Sequence, residues 1–113
     1  MREKIEAQEL KIYISENDKC KGITLYEAIV AEAKKLSLSG VTVFRGILGF
    51  GQEAHIHSTK ILRLSDDLPV VIEIVDSEQN ISKIMPFIEE NVKEGLVTVC
   101  KVQACQYSQK EKG

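Results

Sequence analysis

A chain of 113 residues with 43% hydrophobic and 28% charged side chains has the composition of one ordinary globular domain. Fifteen basic and 17 acidic residues leave a net charge of −2 with no basic stripe, which argues against nucleic-acid binding. No apolar run approaches the roughly 20 residues needed to cross a bilayer, and three cysteines without a CxxC pair argue against a disulfide framework or a zinc knuckle.

The opening MREKIEAQE is charged and lacks the apolar core of a signal peptide, so a cytoplasmic protein is expected. Leu10 to Ile14 alternates with period two and predicts a strand ending at the turn cluster Ser-Glu-Asn-Asp. After the loop KCKGIT, Thr24-Leu-Tyr-Glu27 has the form of a capping box. Leu25, Ile29, Ala33 and Leu36 supply a helical stripe, with Gly40 as the stop. Val41 to Arg45 is β-branched and aromatic, a second strand.

The stretch 46–57, GILGFGQEAHIH, follows it, and residues 55–64 read as irregular extended structure. Ser65 to Pro69 is a turn, and Val70 to Val75 a third strand. Asp76 or Ser77 caps a second helix carrying Ile81, Ile84, Met85 and Ile88 at core spacing. Pro86 is expected to kink or restart that helix, and Gly95 to end it. Leu96 to Val102 is the fourth strand, with Cys100 read as a small buried hydrophobe and QYSQKEKG as a frayed polar tail.

The order strand, helix, strand, long excursion, strand, helix, strand predicts a single α+β domain over 1–113, a ferredoxin-like βαββαβ sandwich. Its core spans about 8–103, with two helices on one face of an antiparallel sheet. Such a sandwich leaves its other sheet face uncovered. Val71, Val75 and alternating residues of the fourth strand make both faces apolar, which points to a homo-oligomer.

Gly49-Phe-Gly-Gln-Glu-Ala54 formally matches GxGxxA, but no helix start follows it and the chain is too short for a doubly wound sheet. Gly46, Gly49 and Gly51 suit either an anion-binding nest of main-chain amides or a bulged hairpin with positive φ. His55 and His57 lie on one side of an extended segment. They read as metal ligands needing a third partner, as ligand or subunit contacts, or as a solvated strand. Glu73 is expected to pair with a basic residue across strands. No catalytic constellation emerges; Ser58 and Thr59 beside His57 would point to opposite faces.

The path VTVFRGILGFGQEAHIH … LPVVIEIVDS resembles the PII signalling proteins, and more fully their uncharacterised PII-like branch. The matching pieces are Leu25–Ala28, Arg45–Gly51, Ile56-His57, Leu68–Val71 and Glu73–Asp76. The resemblance implies a homotrimer of ferredoxin-like domains packed by their sheets, with an adenine nucleotide bound between subunits. It implies too a long loop between strands 2 and 3 that engages a partner protein, such as a transporter or enzyme. Carried onto this sequence, Gly49, Phe50, Gly51 and Gln52 would lie along the phosphates, with Gly46 and Leu48 also part of the nucleotide site. Thr42 would contact adenine, Arg45 would supply charge, and Gly95 would keep the glycine of the Gly-Asp-Gly-Lys run of the PII proteins. Lys19 and Lys21 are looser candidates. The lysine of that run is replaced by Leu96, and the C-terminal arginines have no counterpart. ADP or AMP is therefore expected rather than ATP. The alternative is a trimeric divalent-metal-binding protein of the cation-tolerance type, with His55 and His57 as ligands. Neither reading makes the chain an enzyme, inserts it in a membrane or binds it to nucleic acid.

Overall fold

The computed structural model describes residues 2–50 and 67–109. In chain order the elements are β1 (Arg2–Ser15), the short pair β2 (Lys19–Cys20) and β3 (Ile23–Thr24), α1 (Leu25–Lys35), β4 (Thr42–Arg45), β5 (Pro69–Asp76), α2 (Glu78–Asn91) and β6 (Leu96–Tyr107). The main sheet runs β4-β5-β1-β6 with every neighbouring pair antiparallel. This is the ferredoxin-like order expected from the sequence, with β4 and β6 as its edges among the described residues. Among the described residues, no helix is long and apolar enough to cross a membrane.

The core lies between the sheet and the two helices. Leu10, Ile12 and Ile14 of β1 and Val70, Ile72 and Ile74 of β5 meet Leu25, Ile29 and Ala33 of α1 and Ile81, Ile84 and Ile88 of α2. Among the described residues, no aromatic side chain is fully buried there. Close packing of branched aliphatics is what drives this layer together, at about 25 cal/mol per Å² removed from water.

Both helices begin where the sequence places them. The Thr24 hydroxyl accepts from Glu27 N–H and itself donates to the Glu27 carboxylate at 2.7 Å. Ser77, not Asp76, is the second cap, accepting from Asn80 N–H at 3.1 Å. The ends differ from expectation. Helix α1 stops well before Gly40, in a Schellman closure: Ser37 N–H bonds Lys34 C=O and Leu38 N–H bonds Ala33 C=O. Ser37 itself takes the left-handed position, at φ 62°. Helix α2 runs through Pro86 without restarting and ends at Asn91, with Val92 as its C-cap, short of Gly95.

The outer strands are longer than their periodicity suggests. β1 begins at Arg2, and β6 runs on to Tyr107 through the segment expected to fray. Residues 2–7 pair only with 102–107, because β5 joins β1 from Gln8 onward. A two-stranded ribbon of about 20 Å therefore overhangs the four-stranded sheet.

The face away from the helices is banded. Strand register aligns Phe44, Val71, Tyr13 and Leu96 in one apolar row. The next row is polar: Thr42, Glu73, Lys11 and Thr98. Val75, Glu9 and Cys100 follow. The expectation of a continuously apolar face is thus corrected to alternating bands. Cys100 is also corrected: it lies exposed on this face, its Sγ 3.7 Å from Glu9 Oε1. Lys11 stands opposite Glu73 in register, but its ammonium lies 3.9 Å from Glu9 instead, so the expected cross-strand pairing of Glu73 is not among the ion pairs of the described residues.

Candidate functional site

Of the residues singled out from sequence, Arg45, Gly46, Leu48, Gly49 and Phe50 lie at the end of the sheet where β4 stops and β5 begins. Gly46 N–H donates to Pro69 C=O at 2.8 Å, so the two strands stay paired one step beyond β4. Neither Gly46 nor Gly49 has a positive φ. The demand for glycine is steric at Gly46, and Gly49 is tightly packed against the same ring. A Cβ on Gly46 would lie 2.8 Å from Pro69 Cγ, and one on Gly49 would lie 3.2 Å from the same atom. The chain after Arg45 is folded down over the proline ring. Ile47 and Phe50 remain 84% and 83% exposed, with Leu48 also exposed beside them.

The turn after β1 braces this corner. Glu16 N–H donates to Leu68 C=O at 2.9 Å, and Leu68 N–H returns a bond to Glu16 Oε2 at 3.3 Å. The other carboxylate oxygen, Oε1, lies 2.9 Å from Arg45 Nε. The Ser15 hydroxyl bonds the Asp67 carboxylate, and Asp67 sits at φ 48°. Glu16 is mostly covered while the Arg45 side chain is 59% exposed, so the carboxylate is the fixed member and the guanidinium faces outward.

Thr42 and Arg45 are three residues apart on one strand, so their side chains leave opposite faces of β4. Thr42 lines an open hollow with Ser39, Gly40, Val41, Glu73 and Val75. The two side chains share a ligand only if that ligand passes along the outer edge of β4, about 10 Å from one end to the other. Gly95 lies at the same end of the sheet but beside the opposite edge strand, about three strand spacings or 14 Å away. Its φ is 150°, and a Cβ there would come within 2.5 Å of Tyr13 C=O. Lys19 and Lys21 stand apart, before α1; Lys21 borders a second open hollow with Cys20, Ile23 and Phe87. Gly51, Gln52, His55 and His57 lie outside the described residues, as do Ser58 and Thr59. Among the described residues, no group of three or more His, Cys, Asp or Glu side chains is arranged to hold a metal ion.

Sequence reasoning did not single out Glu16, and it read Asp76, at the far end of β5, only as a candidate helix cap. Glu16 was part of a turn cluster, and nothing local marks it as the brace between β4 and β5. Asp76, buried at the end of β5, accepts from Ser39 N–H at 2.7 Å, Ser77 N–H at 2.8 Å and Asn80 Nδ2 at 2.9 Å. Burial alone would raise its pKa; the hydrogen bonds from Ser39, Asn80 and Ser77 outweigh that and hold it below the ordinary carboxylate value. Asp76 thereby ties the 39–41 wall of the Thr42 hollow to the start of α2.

Residues 7–104 match the model of the DUF190 family, described as "Uncharacterized ACR, COG1993". The chain belongs to this family. A DUF190 relative described as a UPF0166 protein, from Methanocaldococcus jannaschii, is 41% identical over 101 residues, covering 87% of this chain and 93% of its own. Another UPF0166 protein, from Aquifex aeolicus, is 38% identical over 96 residues, covering 83% and 89%.

Among solved structures the DUF190 chain is similar to the nitrogen regulatory PII-like protein CPII from Thiomonas intermedia. Its apo form matches with a TM-score of 0.56 at 16% identity, covering 95% of this chain and all of that one. CPII bound to ADP, AMP and bicarbonate matches with a TM-score of 0.58 at 16% identity, covering 90% and 96%. A putative PII-like signaling protein from Thermus thermophilus matches with a TM-score of 0.56 at 17% identity, covering 91% of each chain. At these identities the likeness establishes the fold, which is that of the PII-like proteins.

Proposed function

We propose that this protein is a PII-like regulator that binds an adenine nucleotide along the outer edge of β4, in a cleft completed by a second subunit. The observation that carries the reading is an exposed arginine beside close-packed glycine backbone at the end of β4, the edge strand of the sheet among the described residues. Arg45 offers a planar, permanently charged donor for phosphate oxygens. Gly46 N–H is engaged by Pro69 C=O, so the main-chain amide offered near the arginine without an intervening side chain is that of Gly49, packed against the same proline ring. The hollow beside Thr42 lies one short strand away, a distance suited to a base when the phosphates meet Arg45. The fold is shared with a protein solved with ADP and AMP, which supports the same ligand class here.

Three copies would pack through the banded sheet face. Gly95 then reaches the ligand from a neighbouring subunit, because within one chain it is a full sheet width from Gly46. Leu96 adds no charge at that point, so a mono- or diphosphate is favoured over a triphosphate. Occupancy would alter how residues 51–66 meet a partner protein, by no more than the difference in ligand affinity between the two states. The residues assigned to the ligand are an arginine, a threonine and backbone. None is a general base at neutral pH, so the role is binding, not catalysis.

Calorimetry with ADP, AMP and ATP up to millimolar concentration tests the nucleotide assignment. Saturable binding of ADP or AMP is expected, with a rise in melting temperature; a ligand at one hundred times its Kd stabilises by about 2.7 kcal/mol. No heat and no thermal shift with any of the three would overturn the reading.

A further inference from the structure

We infer that Glu16 is a positioning residue that aims Arg45 at the ligand's phosphate and links that contact to the start of β5. The carboxylate is divided between two jobs. Oε1 takes Arg45 Nε at 2.9 Å and Oε2 takes Leu68 N–H at 3.3 Å. It is held independently of the arginine, since Glu16 N–H is also bonded to Leu68 C=O. A guanidinium gripped through Nε keeps its two terminal nitrogens for a second anion. Those nitrogens belong to a side chain that is 59% exposed beside Gly46. An arriving phosphate thus adds to a pre-aimed fork and gives up less side-chain freedom on binding. Because the same carboxylate holds Leu68, an anion on Arg45 is felt at the residue leading into β5.

Charge and orientation make opposite demands at this position. Glu16→Gln removes a negative charge next to the arginine. If Glu16 merely competes with the ligand, that variant binds anions more tightly. If Glu16 orients Arg45, the variant binds them more weakly although the site has become more positive.

The test titrates wild type, Glu16→Gln, Arg45→Lys and the double variant with ADP, pyrophosphate and adenosine. The Leu68 amide and the Arg45 Nε–H resonance are followed by NMR. The inference rests on the nucleotide reading for the ligand's identity only. Glu16→Gln is expected to weaken ADP and pyrophosphate by roughly tenfold, the scale of one charge-assisted hydrogen bond, and to leave adenosine unchanged. Arg45→Lys keeps the charge, lacks Nε, and sits on an exposed side chain whose change does not threaten folding. It should show the same loss, and the double variant little more. Pyrophosphate should shift the Leu68 amide in wild type and not in Glu16→Gln. Tighter or unchanged anion binding by Glu16→Gln, or additive losses in the double variant, would overturn the inference. Pyrophosphate binding without ADP binding would refute the nucleotide reading and leave the role of Glu16 standing. Binding of neither by wild type would refute both.

Discussion

Asp76 shows how a single carboxylate can organise a corner of the fold. Its three hydrogen bonds hold the turn before β4, the start of α2 and the end of β5 together. Its folded pKa lies below the ordinary value, so the stability it contributes is complete above the unfolded carboxylate pKa of about 3.9. That contribution is lost as the pH falls through the folded value. Asp76→Asn should cost about 1–3 kcal/mol at neutral pH and flatten the acid limb of stability against pH, measured by urea unfolding between pH 2 and 7. Gly95 carries a different lesson. The sequence presents it as a helix stop and a phosphate contact, but what demands glycine is the approach to Tyr13 C=O at positive φ. Gly95→Ala should lower stability by about 3 kcal/mol or more, read as a drop in melting temperature, because the obstructing atom is backbone. Gly46→Ala should cost less, since the atom it meets is a proline ring carbon. Close approaches of this kind join residues dozens of positions apart and leave no local sign in the sequence.

The elements were legible wherever periodicity and caps act within a few residues. Thr24 with Glu27, the Ile81, Ile84 and Ile88 stripe, and the β-branched runs of β4 and β5 all appear as read. The ends were harder, because they depend on partners. β6 extends to Tyr107 only because β1 starts at Arg2 to pair with it, and neither polar segment alternates strongly enough to declare itself. The end of α1 was misassigned to Gly40 because Ser37 accepts the left-handed position that glycine usually fills. Pro86 was expected to kink or restart α2 and does not restart it. It lies exposed, while Ile84 and Ile88 on either side are anchored in the core, and that burial outweighs the lost backbone bond. Pro86→Ala should therefore stabilise the protein by about 1–3 kcal/mol, measurable by chemical denaturation.

At the scale of the whole molecule, the fold followed from element order, while the candidate site was legible only in part. Arg45, Gly46 and Gly49 do meet at one corner, and Thr42 lies along the same edge. Gly95 is a sheet width away, and the brace formed by Glu16 depends on a contact spanning 52 positions in sequence. The proposed site is incomplete in one chain, so the account depends on assembly through the banded sheet face. Phe44, Tyr13, Val75 and Leu96 expose apolar surface there that an isolated subunit would leave in water. Tyr13→Lys should break the assembly without unfolding the chain, because that side chain lies outside the core between sheet and helices. The most direct measurement is the solution molar mass of the folded protein at tens of micromolar, by light scattering with circular dichroism on the same sample. The account predicts three times the 12.7 kDa of one chain. A folded species of 12.7 kDa would contradict it.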